Sequence, residues 1–115
     1  MNRDTLPALE DILRAIEKIE QFTAGTVIGA FRSDAKTQDA VMRNLEIIGE
    51  AVKRVPEDIR VKYPEIAWRP AAAMRDFLIH EYPDVDVDAV WETVSNDIPR
   101  LKAQVQKMVG DIKTN

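Results

Sequence analysis

Residues 87–112 read VDAVWETVSNDIPRLKAQVQKMVGDI, and their apolar spacing decides the fold class. Val87, Trp91, Val94, Ile98, Leu101, Val105, Met108 and Ile112 step alternately by four and three residues, the seam of a heptad repeat on one long helix. Asp86 or Asp88 is placed to cap its start. Pro99 falls inside the run. Its ring removes one backbone hydrogen bond, so a kink is expected there.

Outward from this segment the same periodicity recurs. Leu6, Leu9, Ile12, Leu13, Ile16, Ile19 and Phe22 lay one stripe on a first helix. Asp4 or Thr5 suits its cap, Pro7 fits its first turn and Gly25 marks its end. A second stripe, Val41, Leu45, Ile48, Val52 and Val55, begins near Thr37 and stops at Pro56. Gly49 sits inside it. A mid-helix glycine costs roughly 1 kcal/mol against alanine, which the close approach of another helix would justify. A short helix is expected from Pro56 to Lys62, closed by Tyr63-Pro64, followed by a Trp68-Arg69-Pro70 linker. A fourth helix then runs from Pro70 through Met74, Phe77 and Leu78 and ends near Ile79–Tyr82, because Pro83 disfavours helical geometry before it. No stretch shows strand-like alternation of useful length, and there is no internal repeat. The expectation is an all-α, up-and-down bundle of four main helices plus one short helix.

The chain has 115 residues, one domain's length, enough to bury about two-thirds of the unfolded surface. With 45% hydrophobic and 31% charged residues, it has the composition of an ordinary globule. The absence of cysteine excludes disulfide scaffolds, thiolate metal sites and cysteine nucleophiles. Because His80 is the only histidine, a multi-histidine metal site would need several chains. No apolar run approaches the ~18–20 residues of a membrane span, and the start leads into an amphipathic stretch, so a cytoplasmic protein without a membrane partner is expected. The net charge of −4 is uneven: residues 36–75 carry +2, residues 76–97 carry −7 with no basic group, and residues 98–115 carry +3. A nucleic-acid role therefore needs a local basic cluster. The acidic block suits either solvent or a basic partner.

Met74-Arg75-Asp76-Phe77-Leu78-Ile79-His80-Glu81-Tyr82 brings a permanent cation, an imidazole and a phenol together at an expected helix end. Asp76 and His80, four apart, share a helical face, so Asp76 can hold the ring's tautomer. Arg75 and His80, five apart, diverge by roughly 140° and converge only through arginine's reach, a distorted turn or a second subunit. Arginine and histidine suffice for RNA cleavage without a metal: histidine moves protons and arginine neutralises charge developing on phosphate. One histidine cannot start as both base and acid, whereas two copies across a two-fold axis supply both. The plainer alternative is a histidine that caps its own helix, with Arg75 paired to a carboxylate.

Arg75-x-x-x-x-His80-x-Tyr82 resembles the R-x4-H-x-Y signature of HepT-like proteins, a branch of the HEPN ribonuclease superfamily. The similarity extends to Phe31-x-x-Asp34-x-x-x-Gln38-x-Ala40-Val41-x-Arg43, Leu45-Glu46-Ile47-Ile48-Gly49-Glu50-Ala51, Pro64-x-Ile66-x-Trp68 and Val87-Asp88-x-x-x-Trp91, in family order from about Asp11 to Leu101. The resemblance implies a HEPN-like helical homodimer with a shared cleft. It also implies a metal-independent RNase toxin with Arg75 and His80 as catalytic residues, no cofactor, and RNA, with tRNA among the candidates, as substrate. The implied partner is an MntA-type nucleotidyltransferase antitoxin that transfers AMP from ATP onto Tyr82. The residue after the motif arginine, often asparagine in the superfamily, is Asp76 here, a supporting group that also weakens the local positive field.

Other residues have structural readings. Asp84-x-Asp86-x-Asp88 hints at calcium, but an EF-hand loop would need Gly at 89 and Glu at 95, where Ala89 and Ser95 stand, so a turn and helix cap are expected. Trp91 on the seam suits packing; Trp68 suits packing or base stacking. Glu46 and Glu50, one turn apart, are expected to pair with Arg43, Lys53 or Arg54 within helical reach, and Arg43, Arg54, Arg60 and Arg69 are candidates for a phosphate-binding surface. Two further functions compete with the toxin: a non-catalytic helical partner of a nucleotidyltransferase, and a structural dimerisation module.

Overall fold

The computed structural model of the chain describes residues 3–81 and 84–114. After a 3-10 turn at Arg3–Thr5 come α1 (Leu6–Thr23), α2 (Ile28–Arg32), α3 (Ala35–Lys53), α4 (Glu57–Arg60), α5 (Trp68–Glu81), α6 (Val87–Glu92), a π-helical turn (Thr93–Asp97) and α7 (Ile98–Lys113). Among the described residues every regular element is helical, as the periodicities require.

Helix α1 packs against α3 and α7, and α3 also packs against α5, so the long helices are neighbours in the order α7–α1–α3–α5. The core lies where their apolar stripes meet. Leu9, Ile12, Ile16 and Ile19 of α1 face Val41, Leu45, Ile48 and Val52 of α3 and Val105, Met108 and Ile112 of α7, all buried. Burying each such side chain contributes about 1.5–3 kcal/mol. Phe22, at the end of the α1 stripe, is instead exposed. Gly25 takes φ +72° just beyond α1, where a side chain would strain the turn. Thr5 stands at the N-cap of α1, but its side chain makes no capping hydrogen bond.

The last segment departs from a uniform seam. Its second half, Ile98, Leu101, Val105, Met108 and Ile112, is buried, but Val87, Trp91 and Val94 are only half-buried and Val90, off the seam, is buried. The cause is the wide turn at Thr93–Asp97, directly before Pro99. An extra residue in that turn keeps the proline ring clear of the carbonyl four residues back and rotates the upstream face. Where the sequence leads to a kink at Pro99, the structure has a π turn ending two residues before it, with a change of register.

Two helical pieces escape the apolar pattern. Trp68-Arg69-Pro70 is the first turn of α5 and not a linker, with Trp68 buried and its Nε1 donating to the Tyr63 carbonyl at 3.0 Å. The five-residue α2 presents one buried side chain, Phe31, whose ring lies 4.9 Å from that of Trp91. Gln38 Nε2 donates to the Phe31 and Arg32 carbonyls at 2.7 and 3.1 Å, satisfying the open end of α2. Asp34 caps α3 by accepting from the Thr37 amide and hydroxyl, and these bonds hold its carboxyl below the usual range. Arg32 forks onto Asp88 at 2.8 and 3.0 Å, and its guanidinium likewise lowers the Asp88 carboxyl. Asp86 caps α6 by accepting from the amides of Asp88 and Ala89, the cap expected in place of a calcium loop.

Beyond α4, the Tyr63 hydroxyl donates to Asp111 at 2.8 Å, with the Lys107 ammonium over the ring. Burial, then the Asp111 carboxylate, push the phenol up to about 12. On the far side of the bundle α5 and α7 do not close on each other. A groove of about 470 Å³ separates them, floored by Ala71, Met74, Ile98 and Leu101.

Candidate active site

The site is built on α5, and α5 is seated by α3. At Gly49 the two backbones meet: a β-carbon there would lie 2.8 Å from Arg75 Cβ, 3.0 Å from the Arg75 nitrogen and 3.1 Å from the Ala71 carbonyl. The glycine is thus explained by a close approach, and what approaches is the motif arginine itself. Gly49→Ala is expected to push α5 outward, because the obstructing atoms are backbone and Cβ. Overpacking costs about 1–3 kcal/mol and the better helix propensity of alanine returns at most about 1. The expected outcome is modest destabilisation in a denaturant titration and a larger loss of any activity that needs Arg75.

Arg75 runs along this seam and its side chain is about a third exposed. Its Nε lies 3.9 Å from Glu50 of α3, and its Nη1 3.4 Å from Asp76. Neither is a close, forked pair, so the guanidinium keeps donors for an incoming anion. Asp76 is held mainly by Lys53 of α3, whose Nζ meets its two oxygens at 3.0 and 3.2 Å. Lys53, and to a lesser extent Arg75, keep the Asp76 carboxyl below its ordinary value.

His80 is exposed, two residues past buried Leu78 and so on the side of α5 turned away from α3. Among the described residues it has no hydrogen-bond or ion-pair partner. The expected Asp76–His80 pair is therefore not made: the carboxylate turns to Lys53. Nor does one chain join Arg75 to His80, as their 140° divergence foretold. Phe77, one of the apolar residues that mark this helix in the sequence, is 52% exposed, and Ile79 47%. Phe77 and His80, three apart, share a face, so the imidazole stands in an apolar surface. Tyr82 lies outside the described residues.

The remaining candidates disperse. Glu46 pairs with Arg43 at 3.4 Å, and Arg54 is bound to Asp11 of α1 at 2.6 Å. Arg60 is half-buried, while Arg69 is exposed and unpaired among the described residues. They form no single cluster of free arginines. Sequence reasoning placed Lys53 as a partner for the α3 glutamates and missed its role on Asp76. The available signal was its spacing of four from Gly49, which puts both on the α3 face that meets α5.

Residues 12–108 match the family described as Ribonuclease HepT-like. Over 108 residues the chain is 52% identical to "Probable ribonuclease HepT" of Thermococcus cleftensis, covering 94% of this chain and 98% of that one. It is 44% identical over 111 residues to "Putative RNase MJ1216" of Methanocaldococcus jannaschii, covering 96% and 92%. "Gamma-glutamylcyclotransferase and putative RNase MJ0434" of the same organism is 42% identical over 115 residues, all of this chain but 52% of that protein. No solved structure gives a significant match. With the family pattern running through both the α3–α5 seam and the Phe31–Trp91 contact, this chain belongs to the ribonuclease HepT-like family.

Proposed function

We propose that the chain is a metal-independent endoribonuclease toxin of a type II toxin–antitoxin pair, acting as a homodimer. In this reading one His80 takes the proton of an RNA 2′-hydroxyl, whose oxygen attacks the adjacent phosphorus. The His80 of the second copy gives a proton to the departing 5′-oxygen, and Arg75 neutralises the charge that builds on the phosphate. The products are a 2′,3′-cyclic phosphate and a free 5′-hydroxyl. The observation that carries the reading is the placement of His80: exposed, unpartnered among the described residues, and set beside exposed Phe77 and Ile79 on α5. A single imidazole in an apolar surface fits a site completed by a second copy. The names of the relatives support RNA as the substrate class.

Control by AMP transfer onto Tyr82 from an MntA-like nucleotidyltransferase belongs to the same proposal. Two residues from His80, the added nucleotide would bring bulk and a phosphodiester charge to the cleft. The competing reading, an acidic module that only binds a partner, has lost part of its basis: Asp76, Asp86 and Asp88 spend their charge on Lys53, a helix cap and Arg32.

The test is cleavage of total RNA, with tRNA resolved, by purified protein in excess EDTA. Cleavage is expected to persist with the chelator, and to stop when the protein is first incubated with the nucleotidyltransferase, ATP and Mg²⁺, which would place AMP on the Tyr82 hydroxyl with release of pyrophosphate, before the chelator is added. Tyr82→Phe is expected to cleave equally and to resist that arrest. Arrest of Tyr82→Phe with wild-type efficiency would remove Tyr82 as the necessary target, and chelator-sensitive cleavage would remove the metal-free mechanism.

A further inference from the structure

We propose that Lys53 is a positioning residue for this site: by holding the Asp76 carboxylate, it keeps that carboxylate from closing on Arg75 and so leaves the guanidinium available to phosphate. The inference rests on the ribonuclease reading of the site and adds to it a residue outside the motif.

The argument begins with a competition. Arg75 is followed in sequence by a carboxylate, and Nη1 already lies 3.4 Å from Asp76 Oδ1. A guanidinium and a carboxylate that can face each other frequently close into two short parallel bonds, and this protein shows such a pair: Arg32 and Asp88 meet at 2.8 and 3.0 Å. Arg75 and Asp76, neighbours about 100° apart around α5, stop short of that arrangement, and Lys53 reaches across from α3 and takes both Asp76 oxygens. The other acid near Arg75, Glu50, stays at 3.9 Å. Four charges are thus balanced in pairs: Lys53 with Asp76, and Arg75 loosely with Glu50. Without the ammonium, two carboxylates would surround one guanidinium, and an RNA phosphate would have to displace Asp76 to reach it.

Gly49 makes this geometry possible. It lets α5 lie close enough for Lys53, one turn further along α3, to reach Asp76, the residue after the one that packs on the glycine. The acidic residue in the motif and the lysine therefore form one device, in which the lysine offsets what the aspartate would otherwise do to the local field.

The experiment compares wild type, Lys53→Met, Lys53→Arg, Lys53→Met/Asp76→Asn and Lys53→Met/Glu46→Gln. The readouts are kcat/KM on an RNA that the wild type cleaves and the NMR signal of the Arg75 Nε–Hε group, assigned by its loss in Arg75→Lys. Lys53→Met is expected to lower kcat/KM about threefold, the scale of an exposed ion pair. Lys53→Arg is expected to retain activity. Removing the competing acid in Lys53→Met/Asp76→Asn is expected to restore it, whereas Glu46→Gln, which changes net charge equally, is not. The Arg75 signal should shift in Lys53→Met and return in the Asp76→Asn double variant. An unmoved Arg75 signal in Lys53→Met, or equal rescue by Glu46→Gln, would overturn the proposal and leave Lys53 as a phosphate contact or a general charge. A wild type that cleaves no RNA would count against the ribonuclease reading alone, since the NMR comparison still decides what Lys53 does to Arg75.

Discussion

His80→Ala is expected to lower RNA cleavage by about 10²- to 10⁴-fold, the contribution of a positioned general acid–base group. Because His80 is the chain's single histidine, both copies of the proposed homodimer would carry the change, so the loss should be near the upper end and both proton transfers should fail together. Arg75→Ala is expected to cost about 10²- to 10³-fold, as removal of one charge-stabilising donor does elsewhere. The fold should not change with His80→Ala. The side chain is exposed and has no partner among the described residues, and such surface replacements usually fall within about 0.5 kcal/mol. Single-turnover cleavage with circular dichroism on the same samples checks both halves. Retention of wild-type cleavage in His80→Ala would place the chemistry elsewhere in the molecule. A mixed dimer of His80→Ala and Arg75→Ala chains gives a finer reading: in a shared cleft, activity should respond to the composition of the pair and not to either chain alone.

The largest effect on stability is expected at Phe31→Ala, about 3–5 kcal/mol, the usual cost of truncating a buried aromatic. Phe31 is fully buried, and α2 has no other buried side chain. Its ring is the only anchor of α2 in the core and supports Trp91 from one side at 4.9 Å. Losing it should leave a cavity beneath α6, detach the end of α2 from Gln38 and loosen the Arg32–Asp88 fork. Thermal unfolding should show a midpoint lower by about 10–20 °C. A fall of only a degree or two would mean that α2 lies on the core without being part of it. Phe31→Leu, which keeps most of the volume, should recover more than half of the loss.

These contacts show what the sequence could and could not reveal. The stripes of α1, α3 and α7 were legible because an amphipathic helix repeats its apolar residues every three or four positions, and the core uses them as written. Helix α2 was not, since five residues are too few to establish a period and one phenylalanine is no pattern. The start of α5 was placed two residues late: Pro70 suits a first helical turn, so the helix was begun there, although Trp68 and Arg69 already belong to that turn. The exposure of Phe77 was not legible, because α5 packs on one neighbour chiefly and fewer of its apolar residues are needed inside. At the site, spacing and family likeness singled out Arg75, His80 and Tyr82 as candidates. Asp76 could not be assigned correctly, because both its helical neighbour His80 and a lysine on another helix were available, and only the α3–α5 approach decides between them.

Helix α5 carries the motif through Glu81 yet buries only Trp68 and Leu78, and its main support is the seam around Gly49. If the proposed site is the working one, what holds the chain together and what it presents to RNA are therefore largely separate inheritances. The α1–α3–α7 core can tolerate or refuse substitutions on its own terms, while a change of one residue at the seam re-aims the working helix without disturbing that core. A scaffold divided in this way can be retuned for a different substrate by re-seating a single edge.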